Sequence, residues 1–272
     1  MKVSVIISVY KDIVALDLII QSLKIQTYTN FEAVIVEDAQ NEDMKEYIDS
    51  IKDIKCVHTS QEDLGVRKSR SQNNGVLAST GEYIIFIDGD CLLAPNFIES
   101  HVYLSERNHA LSGRRFNLDE KQTKLLRNYK MDVKKYLHNF ILYNFWQMFD
   151  KETRFEQGIY LNPKGFLYAI FLKNRKRNTS ILGCNFSCFK SDMVMINGFD
   201  ESYGETAIPD DMDFDWRFKA AGITVKSCNN AAVMFHLYHK AHDRGNPTMQ
   251  LQRMARHRDE GRFICKMGLN TH

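Results

Sequence analysis

Two aspartates one residue apart, Asp88 and Asp90, follow the apolar run Tyr83-Ile84-Ile85-Phe86-Ile87, with Gly89 between them. Carboxylates so spaced at a strand end, with a glycine that lets backbone approach a ligand, suit a divalent cation and the diphosphate it carries. A cation held there would offset charge on a departing phosphate. Asp-Gly is also a common tight-turn dipeptide, so a plain turn is the competing reading. A second acidic pair, Glu37-Asp38, closes the run Phe31 to Val36. There a carboxylate can accept from a base edge or a ribose hydroxyl, or merely cap the segment that follows. A third pair, Asp210-Asp211, opens a helix-periodic segment whose macrodipole favours an ionised carboxylate; an N-cap role would account for one of the two. His236-Leu237-Tyr238-His239, with His242 beyond it, has the look of a histidine-rich zinc run, and Cys184 with Cys188 could seed a zinc site, although no second cysteine pair stands at matching spacing. Arg114 and Arg115, after the short strand Ala110 to Ser112, could bind phosphate or be ordinary surface charges.

The elements that must position these groups alternate in period. Val3 to Val9, Phe31 to Val36, Ile54 to His58 and Tyr83 to Asp88 read as strands. Asp12 to Ile25, Asp43 to Ile51 and Val66 to Ala78 read as the helices between them. Continuous apolar strands separated by helices predict a mostly parallel sheet covered on both faces, a Rossmann-like α/β unit. Ligands of such sheets sit beyond the carboxyl ends of the strands, so Ser8 and Tyr10, Glu37 and Asp38, and Asp88 to Asp90 should share one rim. Regularity returns at Ile181 to Phe189 (strand), Ser191 to Ile196 (helix), a helix from Asp210 that stops at Gly222, and strand-like runs Ile223 to Cys228 and Ala231 to Phe235. The expected organisation is 1–116 as one half of the α/β unit, 117–180 as a helical insertion, 181–243 as the second half, and 244–272 as a helical tail.

The chain has 272 residues, 44% hydrophobic and 26% charged, a globular composition that excludes disorder, collagen and coiled coil as the main architecture. A net charge of +2 makes a nucleic-acid-binding face a poor leading idea. No apolar stretch approaches the roughly 18 to 20 residues that span a bilayer, and the N-terminal run is too short for a signal h-region. Six scattered cysteines suit reduced thiols in a cytoplasm. Within 117–180, aromatic residues such as Tyr136, Phe140, Phe145 and Trp146 precede Lys173, Arg175, Lys176 and Arg177. That mixture fits either a packed helical subdomain or a segment lying on an anionic membrane.

The ordered motifs Val3 to Tyr10, Ile35-Val36-Glu37-Asp38 and Gly81 to Asp90 resemble the inverting glycosyltransferase family 2, with the GT-A fold. Gly183-Cys184-Asn185-Phe186-Ser187, Asn197-Gly198-Phe199-Asp200-Glu201 and Asp210-Asp211-Met212-Asp213 through Arg217 resemble the C-terminal module of galactosyl- and N-acetylgalactosaminyl-transferases and of bacterial chondroitin-type polymerases. Several motifs in order carry far more weight than one.

The resemblance implies roles residue by residue. Tyr10 and Asp38 would hold the nucleotide base, Asp38 accepting from uracil N3, which implies a UDP-sugar donor. Asp88 would meet the ribose, and Asp90 and His236 would hold the metal. Mixed carboxylate and imidazole ligation fits Mn²⁺, with Mg²⁺ as the alternative. Arg67 or Lys68, in a loop resembling a nucleotide-proximal loop of a bacterial branch, would meet the diphosphate. Asp211 would be the base, since inversion needs one carboxylate opposite the leaving group and no second acid where a metal stabilises UDP. Asp210, Asn185 and His239 would contact the acceptor or diphosphate, or support the groups that do. Relatives carry Asp-Asp-Gly-Ser where this chain has Glu37-Asp38-Ala39-Gln40, and Glu where it has Asp210. The expected activity is therefore metal-dependent transfer of a hexose or N-acetylhexosamine from a UDP-sugar, held by the nucleotide-sugar-binding half 1–116, to a bacterial surface glycan or polyprenyl-diphosphate-linked acceptor, met by the acceptor and catalytic half 181–243, in the cytoplasm or at the inner face of its membrane. Two alternatives stand beside it. A nucleotidyltransferase would need a Gly-rich phosphate loop after the first strand, which Ser8-Val9-Tyr10-Lys11-Asp12 does not supply; a degenerate homologue would only bind sugar nucleotide.

Overall fold

The computed structural model describes residues 1–149, 154–172, 179–206, 210–240 and 247–272. Among these residues ten strands form two sheets. They are β1 (Val3–Val9), β2 (Phe31–Glu37), β3 (Cys56–Ser60), β4 (Tyr83–Asp88), β5 (Cys91–Leu93), β6 (His109–Ser112), β7 (Phe116–Asn117), β8 (Asn185–Phe189), β9 (Thr224–Ser227) and β10 (Met234–His236). The large sheet runs β3-β2-β1-β4-β8-β6-β9 and the small one β5-β10-β7. In the large sheet β8 alone runs against its neighbours, so the mostly parallel sheet expected from the apolar strands is present.

Alternation along each strand sends side chains into two separate cores. Val3, Val5, Ile7 and Val9 of β1 join one, while Ile6 joins the other with Val34, Val36 and Phe86. Both faces are buried because helices cover both, which is why these strands read as apolar throughout. The flanking helices start where the sequence provides caps: Asp12 Oδ1 accepts from Ala15 N at 3.0 Å and Asn41 Oδ1 from Met44 N at 2.8 Å. Cys184 and Cys188 sit in different cores, which removes the zinc reading for that pair.

Registers bring the acidic motifs to one rim. Ser8 pairs with Asp88 and Val9 with Glu37, so the carboxyl ends of β1, β2 and β4 finish level. Several expected spans shorten or shift. The strand at 54–58 lies at Cys56–Ser60, the run 181–189 is strand only from Asn185, and the run 231–235 is strand at Met234–His236. Among the described residues of the tail the α-helix spans Thr248–Asp259, after which Gly261 takes φ 64 and the chain packs back on Asn197. The helix-like stretch 121–149 is broken into Glu120–Arg127, Val133–His138, Phe140–Asn144 and a 3₁₀ segment, Phe145–Phe149. Tyr129 turns the chain at φ 54 and Asp132 caps the second piece. Leu126, Tyr136, Leu137 and Phe140 are buried there, whereas Tyr129, Ile141, Phe145 and Trp146 are exposed. Among the described residues no helix is long and apolar enough to cross a membrane.

Candidate active site

The turn after β4 is shaped by Gly89. A Cβ there would lie 2.5 Å from the Ser8 carbonyl oxygen, so only glycine lets the loop press onto the end of β1. On either side of it, Asp88 and Asp90 have opposite surroundings. Asp88 Oδ1 accepts from Lys68 Nζ at 2.7 Å, and Arg115 Nη1 stands 3.9 Å from Oδ2. Lys68 is placed by the start of the helix Lys68–Ala78.

Asp90 instead faces imidazoles. Its Oδ2 is 3.1 Å from His236 Nε2 and 3.3 Å from His239 Nε2, and Cys91 Sγ donates to its Oδ1 at 3.2 Å. Burial pushes the Asp90 carboxyl up, but the hydrogen bond and charge of His236, the Cys91 thiol and Arg115 together hold it down at about 2. Ligand atoms of Asp90, His236 and His239 all lie within 4.8 Å of one another, and this is the one such group of three among the described residues. The small sheet sets it: His236 pairs with Cys91 across β10 and β5, and Leu237 N donates to Asp90 O at 2.8 Å. His239, expected as support or a diphosphate contact, is therefore brought to the same point as His236.

Asp38 is buried at the end of β2. Its Oδ1 accepts from Gln61 Nε2 at 2.6 Å and its Oδ2 from the Arg67 backbone N–H at 2.7 Å. Burial pushes its carboxyl up against those two bonds and the Arg67 charge. Neighbouring Glu37 turns away to His58 Nε2 at 3.0 Å. Tyr10 is 55% exposed on the rim, with its hydroxyl 3.4 Å from Asp63 Oδ2. Arg67 follows the same loop and points its guanidinium at the Glu62 carbonyl.

Asp211 lies in the first turn of the helix Asp210–Ala220 and against Gly183, where a Cβ would come within 2.2 Å of its Oδ1. Cys184, the next residue, is buried in the same core as Cys91. The guanidinium of Arg114 is held by the backbone around it. It is half-buried and donates to Gly113 O at 2.7 Å and Ser112 Oγ at 3.1 Å, and it also reaches Ser180 O. Asn185 is fully buried, so it presents nothing to an acceptor. Its Nδ2 donates to Arg114 O at 2.9 Å and Ala232 O at 3.2 Å, and its Oδ1 meets His101 Nε2 at 3.2 Å. Sequence reasoning missed Gln61 and His101. Gln61 opens the loop between β3 and Lys68 that carries Arg67, whereas nothing marked His101. The side chain of Asp210, together with Lys173, Arg175, Lys176, Arg177 and His242, lies outside the described residues.

The parallel sheet with one reversed strand, and acidic loops gathered at its rim, define a GT-A fold. Residues 4–168 match the model for glycosyl transferase family 2, and the chain belongs to that family. Over 109 residues it is 36% identical to an uncharacterized glycosyltransferase of Rickettsia bellii, a match covering 40% of this chain and 16% of that protein. It is 33% identical over 112 residues to the glucosyl-dolichyl phosphate glucuronosyltransferase of Haloferax volcanii, covering 40% of this chain and 35% of the relative. The matched segment is thus a minor part of these relatives' length. TarS 1-349 of S. aureus, solved with UDP-GlcNAc, superposes with a TM-score of 0.64 at 12% identity, covering 100% of this chain and 69% of that one. The mannosyltransferase PcManGT of Pyrobaculum calidifontis, in complex with GDP-Man and Mn²⁺, gives 0.52 at 14% identity over 93% and 60%.

Proposed function

We propose that the chain transfers a hexosyl or N-acetylhexosaminyl group from a UDP-sugar, with inversion and with a divalent metal, to a hydroxyl of a bacterial surface glycan or its lipid-linked precursor. The observation that carries this reading is the convergence of Asp90, His236 and His239 beside the Lys68–Asp88 pair at the end of the parallel strands. One carboxylate and two imidazoles form a donor set that suits Mn²⁺, with Mg²⁺ less well matched to nitrogen. An ion bound there would stabilise negative charge on the departing diphosphate. TarS and PcManGT, solved with UDP-GlcNAc and with GDP-Man and Mn²⁺, support a nucleotide-sugar donor.

Residues 1–116 would hold the donor. Asp38 keeps lone pairs free beyond its bonds to Gln61 and Arg67, so uracil N3–H has an acceptor, and Tyr10 would lie along the base. Lys68 would move its ammonium between Asp88 and the diphosphate, with Arg67 beside it. Residues 181–243 would supply the base. The Asp211 carboxylate takes the acceptor hydroxyl proton, the acceptor oxygen bonds to the anomeric carbon, and the bond from that carbon to the phosphate oxygen breaks, its electron pair leaving with UDP. Six free cysteines suit the cytoplasm as the setting.

The test is thermal stabilisation by a panel of UDP- and GDP-sugars with and without Mn²⁺, followed by hydrolysis or transfer of whichever donor binds. A UDP-sugar should raise the melting temperature in a metal-dependent way and be turned over. Stabilisation by GDP-sugars alone would overturn the UDP assignment, and no response to any donor would overturn the reading.

A further inference from the structure

The insertion carries apolar side chains on faces that nothing in the fold requires to be apolar. In the segment 140–149, Phe140 and Asn144 are buried, yet Leu142 is 73% and Trp146 81% exposed. In the helix Phe166–Phe171, Tyr168 is buried, while Phe166 is 76%, Leu167 55%, Ile170 55% and Phe171 62% exposed. Each piece therefore anchors by one face and shows a second apolar face outward, where an ordinary surface helix would be polar. Single exposed apolar residues are unremarkable, but six large ones on three short helical pieces of one insertion point to an interaction.

Charge identifies the partner. Residues 117–180 contain thirteen Lys and Arg against six Asp and Glu, while the rest of the chain is net acidic. Aromatic and aliphatic side chains beside an excess of cations are what an anionic lipid surface binds: the apolar groups enter the headgroup boundary and the cations meet the lipid charge. The insertion is also rooted at the site. It leaves from β7, which pairs with β10, and Leu118 N donates to His236 O at 2.9 Å.

We propose that this surface docks the protein on an anionic bilayer and so holds the Asp90–His236–His239 cluster close to the headgroups. The docking itself is independent of catalysis; that it serves a lipid-linked acceptor rests on the function proposed above.

The test is flotation of the full chain with phosphatidylglycerol-containing vesicles and with phosphatidylcholine vesicles, without nucleotide or metal. The chain should float with the anionic vesicles, less so at high salt. The pairs Leu142→Ser with Trp146→Ser, and Phe166→Ser with Phe171→Ser, should each lower binding by about tenfold or more. These side chains are exposed, so melting temperature and UDP binding, measured separately, should hold. Failure of the wild type to float, equal flotation of the variants, or a dimer in sedimentation that the same substitutions split would each overturn the proposal. A chain that floats but binds no sugar nucleotide would instead overturn the catalytic reading and leave the docking surface standing.

Discussion

Lys68 Nζ lies 2.7 Å from Asp88 Oδ1, so the first residue of one helix neutralises the last residue of the neighbouring strand. Asp88 and Asp90 are thereby given different work although one residue separates them: the first faces cations and the second imidazoles. Lys68→Met should weaken UDP binding by about tenfold to a hundredfold, the loss of one charge-assisted hydrogen bond. Calorimetric titration checks this, and an unchanged affinity would confine Lys68 to serving Asp88.

Gly183 sets the position of Asp211. In Gly183→Ala the new methyl group would meet Asp211 Oδ1 at 2.2 Å, and the carboxylate, being the end of a side chain, would swing aside at little cost to folding. Transfer should fall at least tenfold with donor affinity kept, because a displaced base loses reach to the acceptor proton. Asp211→Asn should show the same split more strongly. Wild-type transfer rates in Asp211→Asn would remove the base assignment.

The three-ligand cluster predicts graded metal dependence. His236→Ala and His239→Ala should each raise the Mn²⁺ concentration needed for half-maximal activity by at least about tenfold, since even outer-shell partners cost 10–100-fold. A requirement unchanged in His239→Ala would return that residue to a supporting role.

Acid should destabilise the fold in two overlapping ranges. His101 is fully buried, and burial lowers its pKa from 6.5 to about 3, so the unfolded chain takes up a proton that the folded chain refuses. Stability therefore falls as pH drops from 6.5 towards 3. Burial pushes Glu32 up, but Lys55, Thr80 and Ser4 more than offset this and hold it at about 2 against an ordinary 4.5. Its contribution is complete above 4.5 and is lost as pH falls towards 2. Urea midpoints measured from pH 7 to pH 3 should decline throughout, with a steeper slope below about 4.5.

Arg217 and Asp213 form an ion pair, 3.2 Å apart, with side chains 1% and 3% exposed. Arg217 also donates to the Phe263 and Ile196 carbonyls, while Tyr203 and Trp216 donate to Asp213. Arg217→Met should cost about 3–5 kcal/mol in chemical denaturation, because it strands a buried carboxylate. Loss of less than about 1 kcal/mol would mean that Tyr203 and Trp216 suffice for Asp213.

The parts of this fold legible in sequence were those with a local signature. Apolar strands such as Val3–Val9 and Tyr83–Asp88, the capped helices between them and the acids at their ends announce themselves through period and composition, and their shared rim follows from parallel topology. The small sheet did not, because two- and three-residue strands such as Phe116–Asn117 and Cys91–Leu93 have no period to read. For the same reason the approach of His239 to Asp90 could not be foreseen. Nor could the burial of Asn185 beneath Arg114, which depends on His101 arriving from a helix 84 residues earlier.

Asp90 immediately precedes β5, and His236 is the last residue of β10, so their separation is written in backbone pairing between strands of three residues each. A one-residue insertion or deletion inside Met234–His236 would invert the facing of that histidine and dismantle the cluster. The stretch between 118 and 149 leaves from the opposite side of β10 and packs Tyr136 and Phe140 on Phe235, so it braces the strand that ends in His236.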